Sequence, residues 1–129
     1  MKMVRRVLVV DDHRDSTDSL ALLLELRGHE VRSAYDGQGA LEIAREFHPE
    51  VVFLDIGMPG IDGYGVARTL RELAPKGNPT VLVAVTGWSR DEDRQRSREA
   101  GFDAHLVKPV DERVLHSILE RLPPVAPSP

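Results

Sequence analysis

Four short apolar runs in this chain each end on a polar side chain that could take part in acid, metal or phosphate chemistry. The runs cover residues 7–10, 51–54, 81–85 and 104–107, and the polar residues that follow them are Asp11 with Asp12, Asp55, Thr86 and Lys108. If these runs are parallel strands of one sheet, their carboxyl ends lie along one edge, which is where open α/β sheets bind ligands. The sequence therefore predicts a crevice that contains three carboxylates, a hydroxyl group and an amine.

The three predicted carboxylates require a cation beside them. Two carboxylates about 4 Å apart repel each other by roughly 4 kcal/mol at an effective dielectric constant near 20. Oxygen ligands select a hard ion, and a crevice with few protein ligands suits Mg²⁺ better than Ca²⁺. One divalent ion together with Lys108 neutralises the charges of Asp11, Asp12 and Asp55, so the site has the capacity for one further anionic group.

Asp55 is the predicted nucleophile of this site. It stands alone after its strand, whereas Asp11 and Asp12 are adjacent and are paired for the metal. A carboxylate oxygen can attack phosphorus and form an acyl phosphate, and the metal with Lys108 would stabilise the charge of that transition state. Thr86 would then donate its hydroxyl group to a phosphoryl oxygen.

His13 is a weaker candidate for metal binding. It follows Asp12 directly, at the point where the first helix is expected to begin. We therefore predict that its side chain points to solvent and does not bind the ion.

The apolar runs predict a parallel sheet with helices on both faces. They are rich in β-branched residues and are continuous rather than alternating, which is typical of strands buried on both faces. A less apolar run over about residues 31–35 predicts a further strand, at an edge of the sheet. Five strands alternating with five helices indicate a doubly wound α/β fold. Four of the helices are predicted from apolar residues at helical spacing, which are Leu20, Leu23 and Leu24; Ala40, Ile43, Ala44 and Phe47; Val66, Ala67, Leu70, Leu73 and Ala74; and Val114, Leu115, Ile118, Leu119 and Leu122.

Residues 90–99 form the fifth predicted helix, which differs from the others because it contains no apolar residue. Ser89 with Glu92 three residues later is the pattern of a capping box, and Glu92 with Arg96 is a favourable pair one turn apart. A helix that is polar on all sides packs weakly, so we expect this one to be mobile or to face a partner.

The composition limits the classes of protein to which the chain can belong. A length of 129 residues fits one domain, predicted over residues 1–122, and the proline-rich residues 123–129 are predicted to be a disordered tail. The 21 acidic and 17 basic residues give a formal net charge of -4, so this domain has no general attraction for nucleic acid. The sequence has no cysteine and no apolar stretch long enough to span a membrane, which indicates a cytoplasmic protein.

Four motifs in order along the chain resemble the receiver domain of two-component response regulators. They are VVDD at residues 9–12, LDIGMPGIDG at 54–63, VTG at 85–87 and AGFDAHLVKP at 100–109. The resemblance extends over about residues 5–122, and the last motif is most similar to the receivers of hybrid sensor histidine kinases. It implies a flavodoxin-like, five-stranded sheet with the strand order 2-1-3-4-5.

The resemblance also implies a function and a set of site residues. Asp55 would accept a phosphoryl group from a phosphohistidine of a sensor histidine kinase or a histidine phosphotransfer protein. Mg²⁺ or Mn²⁺ would be held by Asp12, Asp55 and the backbone carbonyl of Gly57, with Asp11 acting mainly through water. The domain would catalyse only its own phosphorylation and dephosphorylation, and it would signal through the helix over residues 90–99, the strand after it and the last helix.

One residue departs from the pattern of this family. Three positions before Lys108 the family usually has Tyr or Phe, whose ring swings inward when the Thr hydroxyl moves onto the phosphoryl group, but this chain has His105. An imidazole is smaller and polar, and its unperturbed pKa is about 6.5, so it is easier to bury in the neutral form. We therefore predict that Thr86 and His105 form a switch that is weak or sensitive to pH.

Three other classes of protein fit parts of this pattern. A flavodoxin-like FMN protein has the same sheet, but Asp11 and Asp12 would repel the phosphate of its cofactor. A metal-dependent phosphohydrolase of the haloacid dehalogenase type has a second Asp two residues after its nucleophile, where this chain has Gly57. The third class is a receiver-like module that binds partners without phosphorylation, and the complete set of acids argues against it.

Overall fold

The computed structural model describes residues 4–56, 63–74, 80–87, 101–108 and 110–121. The five strands form one parallel sheet in the order β2-β1-β3-β4-β5. This confirms the predicted doubly wound fold and its strand order. Strands and helices alternate along the chain, as β1 (Arg6–Val10), α1 (Arg14–Leu26), β2 (Glu30–Ala34), α2 (Gly37–Phe47), β3 (Val51–Asp55), α3 (Gly63–Leu73), β4 (Val81–Thr86), β5 (Ala104–Val107) and α4 (Glu112–Arg121).

Four helices lie within the residues that the structure describes. The fifth predicted helix, over residues 90–99, lies outside them, as do Gly57 and the predicted tail over residues 123–129, so what the sequence predicts for these segments stays a prediction. None of the helices in this described part of the chain is long and apolar enough to cross a membrane.

The sheet is buried on both faces, because its central strands are apolar at almost every position. Side chains alternate between the two faces along a strand, and each face has its own core cluster. On the face covered by α2 and α3 the sheet contributes Leu8, Val10, Val52, Leu54, Leu82 and Ala84. On the face covered by α1 and α4 it contributes Val7, Val9, Val51, Phe53, Val83 and Val85. Burial on both faces therefore explains why the sequences of the central strands are continuously apolar. The less apolar β2 lies at an edge of the sheet, as predicted.

Among the described residues of α4, Val114 departs from the apolar face that the periodicity predicts. Leu115 and Leu119 are buried, but Val114 is 43% exposed. Val114 lies about 100° around the helix from Leu115, which places it outside the stripe that packs on the sheet. The prediction that Val114 belongs to the buried face is therefore wrong.

At the edge of the sheet opposite to the strand carboxyl ends, His29 links the segments that lead into β1 and β2. The backbone N–H of Arg5 donates to Nδ1 of His29 at 3.1 Å, and the buried side chain of Arg5 pairs with Glu50 at 3.3 Å. Burial, and then the nearby charges of His116 and Arg5, hold the pKa of His29 below its ordinary value, although Glu50 acts in the other direction. His29 has to be neutral to accept this hydrogen bond.

We expect the domain to lose stability as the pH falls below about 6.5, the ordinary pKa of histidine. In that range the unfolded chain takes up a proton at His29 more readily than the folded domain, which would lose the hydrogen bond from Arg5. The expected loss is about 0.5–1 kcal/mol of the free energy of unfolding, because this site is partly exposed. Urea denaturation at about pH 5.5 and about pH 7.5 measures the loss.

His29→Asn is the control for this measurement, because its amide oxygen offers an acceptor near the position of Nδ1 and does not titrate. The variant should lose less stability than the wild-type protein over the same pH range. Equal losses in the two proteins would show that His29 is not the group responsible.

Candidate functional site

The carboxyl edge of the sheet carries the two buried carboxylates of the site. Asp11 directly follows β1 and Asp55 is the last residue of β3, and these two strands are neighbours in the sheet. Asp11 is 6% exposed and Asp55 is 5% exposed. The backbone N–H of Asp11 donates to the carbonyl of Ala34 on β2 at 3.2 Å, so backbone pairing holds Asp11 in place one residue beyond its strand.

Lys108 joins the two carboxylates. Its Nζ atom lies 2.6 Å from Oδ2 of Asp11 and 3.1 Å from Oδ2 of Asp55, and 27% of its side chain is exposed. Its backbone N–H donates to the carbonyl of Thr86 at 2.7 Å, which fixes the point where Lys108 leaves the sheet. The structure thus brings Asp11, Asp55 and Lys108 together at one edge.

Asp11 and Lys108 stabilise each other in their charged forms. Burial acts to raise the pKa of Asp11, but the hydrogen bonds from Lys108 and His13 outweigh it and hold that pKa below its ordinary value. Burial likewise acts to lower the pKa of Lys108, but its hydrogen bonds to Asp11 and Asp55 outweigh this effect and raise that pKa. Both groups are therefore charged at neutral pH.

His13 contacts both aspartates of the connection between β1 and α1. Its Nδ1 lies 3.1 Å from Oδ1 of Asp11 and 3.1 Å from Oδ1 of Asp12. The side chain is 69% exposed, which agrees with the predicted orientation toward solvent, but its Nδ1 contacts the two acids, which the sequence did not predict. His13 is the N-cap residue of α1 and has an extended backbone (φ -85°, ψ 103°), so it directly adjoins the acids that it contacts.

Thr17 stabilises the segment between β1 and α1, a role that the sequence analysis did not predict. Its side chain is fully buried, and its hydroxyl group donates toward the carbonyl oxygen of Asp11 at 3.0 Å and that of His13 at 2.8 Å. These contacts fix the backbone that carries the acidic pair. The only signal in the sequence is a Thr one turn into the first helix, and a Thr at such a position is common in helices that have no site beside them.

Thr86 lies on β4, the neighbour of the strand that ends at Asp55, and His105 lies on β5, on the other side of β4. Thr86 is the last residue of β4 and is 3% exposed, and the register pairs Asp55 with Val85, one residue before it. His105 is half-buried on the edge strand β5 and pairs with Ala84. Because positions two apart on a strand share a face, Thr86 and His105 lie on the same face of the sheet. Two side chains that move together, as predicted for the switch, have to lie on the same face of the sheet.

The acids form a group that fits a divalent metal ion. Within the described ranges, Asp11, Asp12, His13 and Asp55 each offer one ligand atom, and these atoms all lie within 4.8 Å of one another. Three carboxylates match the oxygen chemistry that Mg²⁺ requires, and Lys108 neutralises only one of their charges. The carbonyl ligand expected from Gly57 lies outside the described residues.

A cleft of about 640 Å³ opens beside these acids, between α1 and the sheet. Its walls include Asp11, Asp55 and Lys108, together with Leu20 and Leu23 of α1. The carboxylates therefore border an open crevice and are not enclosed in a sealed core, so a reactant from solvent can approach them.

Comparisons with known proteins identify the family of this chain. The model of the response regulator receiver domain matches residues 7–120. The chain therefore belongs to the response regulator receiver domain family.

Relatives of the chain include both short and long proteins. An uncharacterized 14.6 kDa protein from the sodA1 3′ region of Leptolyngbya boryana is 39% identical over 105 residues, which are 81% of this chain and 79% of that protein. The transcriptional regulatory protein PrrA of Mycobacterium tuberculosis is 43% identical over 104 residues, covering 81% of this chain and 43% of PrrA. The virulence sensor protein BvgS of Bordetella pertussis is 38% identical over 133 residues, covering 96% of this chain and 11% of BvgS. The chain thus spans less than half the length of PrrA and BvgS.

Solved structures share the same fold over nearly the whole chain. The CheY-like receiver domain protein of Methanospirillum hungatei has a TM-score of 0.81 and 30% identity, with 92% of each chain covered. The chemotaxis protein CheY4 of Vibrio cholerae has a TM-score of 0.84 and 27% identity, covering 94% of this chain and 100% of CheY4. A response regulator from Burkholderia pseudomallei, solved with a phosphorylated aspartic acid, a calcium ion and citrate, has a TM-score of 0.79 and 26% identity, covering 95% of this chain and 67% of that one.

Proposed function

We propose that this domain is the phosphoacceptor switch of a two-component or phosphorelay system. Asp55 accepts a phosphoryl group from a phosphohistidine of a sensor histidine kinase or a histidine phosphotransfer protein, with Mg²⁺ or Mn²⁺ as the metal. The observation that carries this proposal is the position of Lys108, whose Nζ lies 2.6 Å from Asp11 and 3.1 Å from Asp55 within a group of acids that fits a divalent ion. The family of the chain supports the same function.

We assign the role of nucleophile to Asp55 and not to Asp11. Both carboxylate oxygens of Asp11 accept hydrogen bonds, Oδ2 from Lys108 and Oδ1 from the backbone of His13. These bonds outweigh the effect of burial and hold the pKa of Asp11 low, so Asp11 is kept as a charged partner of Lys108. Asp55 ends a strand that is buried along its whole length, so its position beside Lys108 is fixed before a donor arrives.

In the proposed reaction, a carboxylate oxygen of Asp55 forms a bond to phosphorus while the bond between phosphorus and the donor imidazole nitrogen breaks. The electron pair of the broken bond leaves with the imidazole, and the product is an acyl phosphate on Asp55. Lys108 neutralises charge on the phosphoryl oxygens, and Thr86 donates its hydroxyl group to one of them. A divalent ion held by Asp12 and Asp55 would supply Lewis-acid stabilisation of the same charge.

The wider role of the domain follows from this reaction. The related response regulator from Burkholderia pseudomallei supports it, because that protein contains a phosphorylated aspartic acid and a calcium ion. We propose that the domain catalyses only its own phosphorylation and dephosphorylation, and that the signal passes to a downstream protein through β5, α4 and the helix predicted over residues 90–99. A sensor histidine kinase as donor implies a cytoplasmic location.

We expect the wild-type protein to gain the mass of one phosphoryl group when it is incubated with acetyl phosphate or phosphoramidate and Mg²⁺. Chelation of the metal with EDTA should slow this gain by at least about 100-fold, because the uncompensated carboxylates then repel the anionic donor. Intact mass spectrometry measures both rates.

Two other results of this experiment would change the proposed function. A protein that neither gains a phosphoryl group nor consumes the donor in the presence of Mg²⁺ is not a phosphoacceptor, and a module that binds partners without phosphorylation would replace this proposal. Steady consumption of the donor without an adduct would indicate a phosphohydrolase that uses another residue if it continues in Asp55→Asn, whereas consumption that stops in this variant would indicate rapid dephosphorylation of Asp55.

We also propose that His105 makes the response to phosphorylation depend on pH. His105 is half-buried and lies on the same face of the sheet as Thr86. An imidazole changes its charge close to neutral pH, and the neutral ring is easier to bury than the charged one. The inward position beside Thr86 is therefore more accessible to the neutral ring than to the charged one.

For this switch, we expect the phosphoryl mimic beryllofluoride to shift the amide resonances of residues 101–108 by different amounts at about pH 6 and about pH 8. In His105→Tyr the shifts should be larger and independent of pH over this range, because the unperturbed pKa of Tyr is about 10. Two-dimensional NMR measures the shifts. Equal shifts at both pH values in the wild-type protein, unchanged by the substitution, would exclude His105 from the switch.

A further inference from the structure

We propose that His13 is a further metal ligand of this site and that it raises the preference of the site for Zn²⁺ over Mg²⁺, compared with a site made of carboxylates alone. The inference rests on the proposed function, because it concerns the same metal site.

The main support for this inference is the spacing of the His13 ring nitrogen Nδ1 and one carboxylate oxygen each of Asp11 and Asp12. Nδ1 of His13 lies 3.1 Å from an oxygen of Asp11 and 3.1 Å from an oxygen of Asp12. Two ligand atoms that bind one small divalent ion at about 2.1 Å lie about 3.0–3.4 Å apart. Nδ1 and the two oxygens therefore already have the spacing of adjacent ligands, and the same group includes an oxygen of Asp55.

The backbone holds His13 in this position, and the helix does not use its ring. The backbone N–H of His13 donates to Asp11 at 3.0 Å, and its carbonyl accepts a hydrogen bond from the Thr17 hydroxyl at 2.8 Å. No hydrogen bond joins the side chain of His13 to the described first turn of α1, and 69% of this side chain is exposed. An ion from solvent therefore has access to the ring.

An imidazole changes which ions the site favours. Carboxylates suit Mg²⁺ and Mn²⁺, whereas imidazole suits Zn²⁺, Cu²⁺ and Ni²⁺. Mg²⁺ keeps several waters and takes one or two carboxylates from the protein, so it gains little from a nitrogen ligand. Zn²⁺ gains a bond to nitrogen, and the loss of His13 should therefore affect the two ions unequally.

Calorimetric titration of the metal-free protein with zinc chloride and, separately, with magnesium chloride tests the inference. We expect His13→Asn to raise the Kd for Zn²⁺ at least about tenfold and the Kd for Mg²⁺ by less than about threefold. Excess Mg²⁺ should compete with Zn²⁺, and Asp12→Asn should weaken the binding of both ions, because they share one site.

His48→Asn is the matched control for this titration. His48 is an exposed histidine at the end of α2, where its backbone is left-handed (φ 50°) and Asn is well tolerated. The variant should bind both ions as the wild-type protein does. In the wild-type protein itself, long-range ¹H–¹⁵N NMR spectra should show that Zn²⁺ shifts Nδ1 of His13 and that Mg²⁺ does so much less.

Three outcomes can be told apart. Zn²⁺ binding that competes with Mg²⁺, weakens in His13→Asn and persists in His48→Asn supports His13 as a ligand. Zn²⁺ binding that competes with Mg²⁺ but is the same in His13→Asn overturns the inference and leaves the proposed function intact. If Mg²⁺ does not bind the wild-type protein, the metal dependence of the proposed function is wrong, and the inference fails with it.

Discussion

Asp55→Asn should gain no detectable phosphoryl group under conditions in which the wild-type protein is fully modified. A neutral amide oxygen is a much weaker nucleophile than a carboxylate oxygen. We expect the rate of modification to fall by at least about 1,000-fold, which corresponds to about 4 kcal/mol in activation free energy. Intact mass spectrometry after incubation with acetyl phosphate and Mg²⁺ measures the loss.

The variant should remain folded, so the loss cannot be attributed to unfolding. Asp55 and Asp11 are both buried beside Lys108, and two carboxylates in this arrangement repel each other. The amide removes the repulsion, while Lys108 keeps its shorter contact with Asp11 at 2.6 Å. The free energy of unfolding should therefore stay the same or rise by about 1 kcal/mol.

Asp36→Asn makes the same chemical change away from the site and serves as the control. Asp36 is exposed and caps α2 by accepting a hydrogen bond from the backbone of Gly39 at 2.6 Å, and Asn caps helices equally well. This variant should be modified at the wild-type rate. If Asp55→Asn is also modified at that rate, another residue is the acceptor and the role assigned to Asp55 is wrong.

The sheet and the placement of Asp11, Asp55 and Lys108 could be predicted because of how parallel strands are built. Strands buried on both faces need continuous apolar runs, and these runs stop abruptly at the first polar residue. The strand ends could therefore be located almost to the residue, and the topology of such a sheet brings its carboxyl ends to one edge. Asp55, for example, closes the fully buried strand β3, so the apolar run before it was enough to place its carboxylate at that edge.

The contact of His13 Nδ1 with the two acids and the role of Thr17 could not be predicted in this way. Both depend on the dihedral angles of the few residues between β1 and α1, and the sequence pattern carries no information about those angles. The exposure of Val114 on α4 is a related case. A residue at the border of an apolar stripe is buried or exposed according to the rotation of the helix on the sheet, and periodicity determines that rotation only coarsely.

Lys108→Met should slow phosphorylation by at least about 100-fold. The Nζ atom of Lys108 contacts both buried carboxylates, and its raised pKa keeps it charged at neutral pH. This charge stabilises the phosphoryl oxygens as the new bond to Asp55 forms. Met has a similar length and no charge, so the variant removes the electrostatic contribution and largely keeps the packing of the side-chain stem.

The same substitution should strengthen metal binding. A unit positive charge about 5 Å from a divalent ion opposes its binding by about 2 kcal/mol at the dielectric constant of water and by about 7 kcal/mol at an effective value near 20. The Kd for Mg²⁺ should therefore fall at least about fivefold in Lys108→Met, which calorimetry can measure.

Without metal, Lys108→Met should also lower the stability of the fold. The buried carboxylates of Asp11 and Asp55 lose their counter-charge, and the free energy of unfolding should fall by about 2 kcal/mol. This is less than the loss of a fully buried ion pair would cause, because Lys108 is partly exposed.

Two control variants separate these effects from a general change in charge. Arg113→Met removes a positive charge from an exposed position on α4 and should change neither the Kd for Mg²⁺ nor the rate of phosphorylation. Lys108→Arg keeps the charge and should retain most of the stability, although the planar guanidinium group fits the two carboxylates differently.

A residue that binds the metal can only weaken metal binding when it is removed. Tighter Mg²⁺ binding together with slower phosphorylation would therefore identify Lys108 as the charge that serves the transition state, whereas weaker Mg²⁺ binding in Lys108→Met would contradict this role.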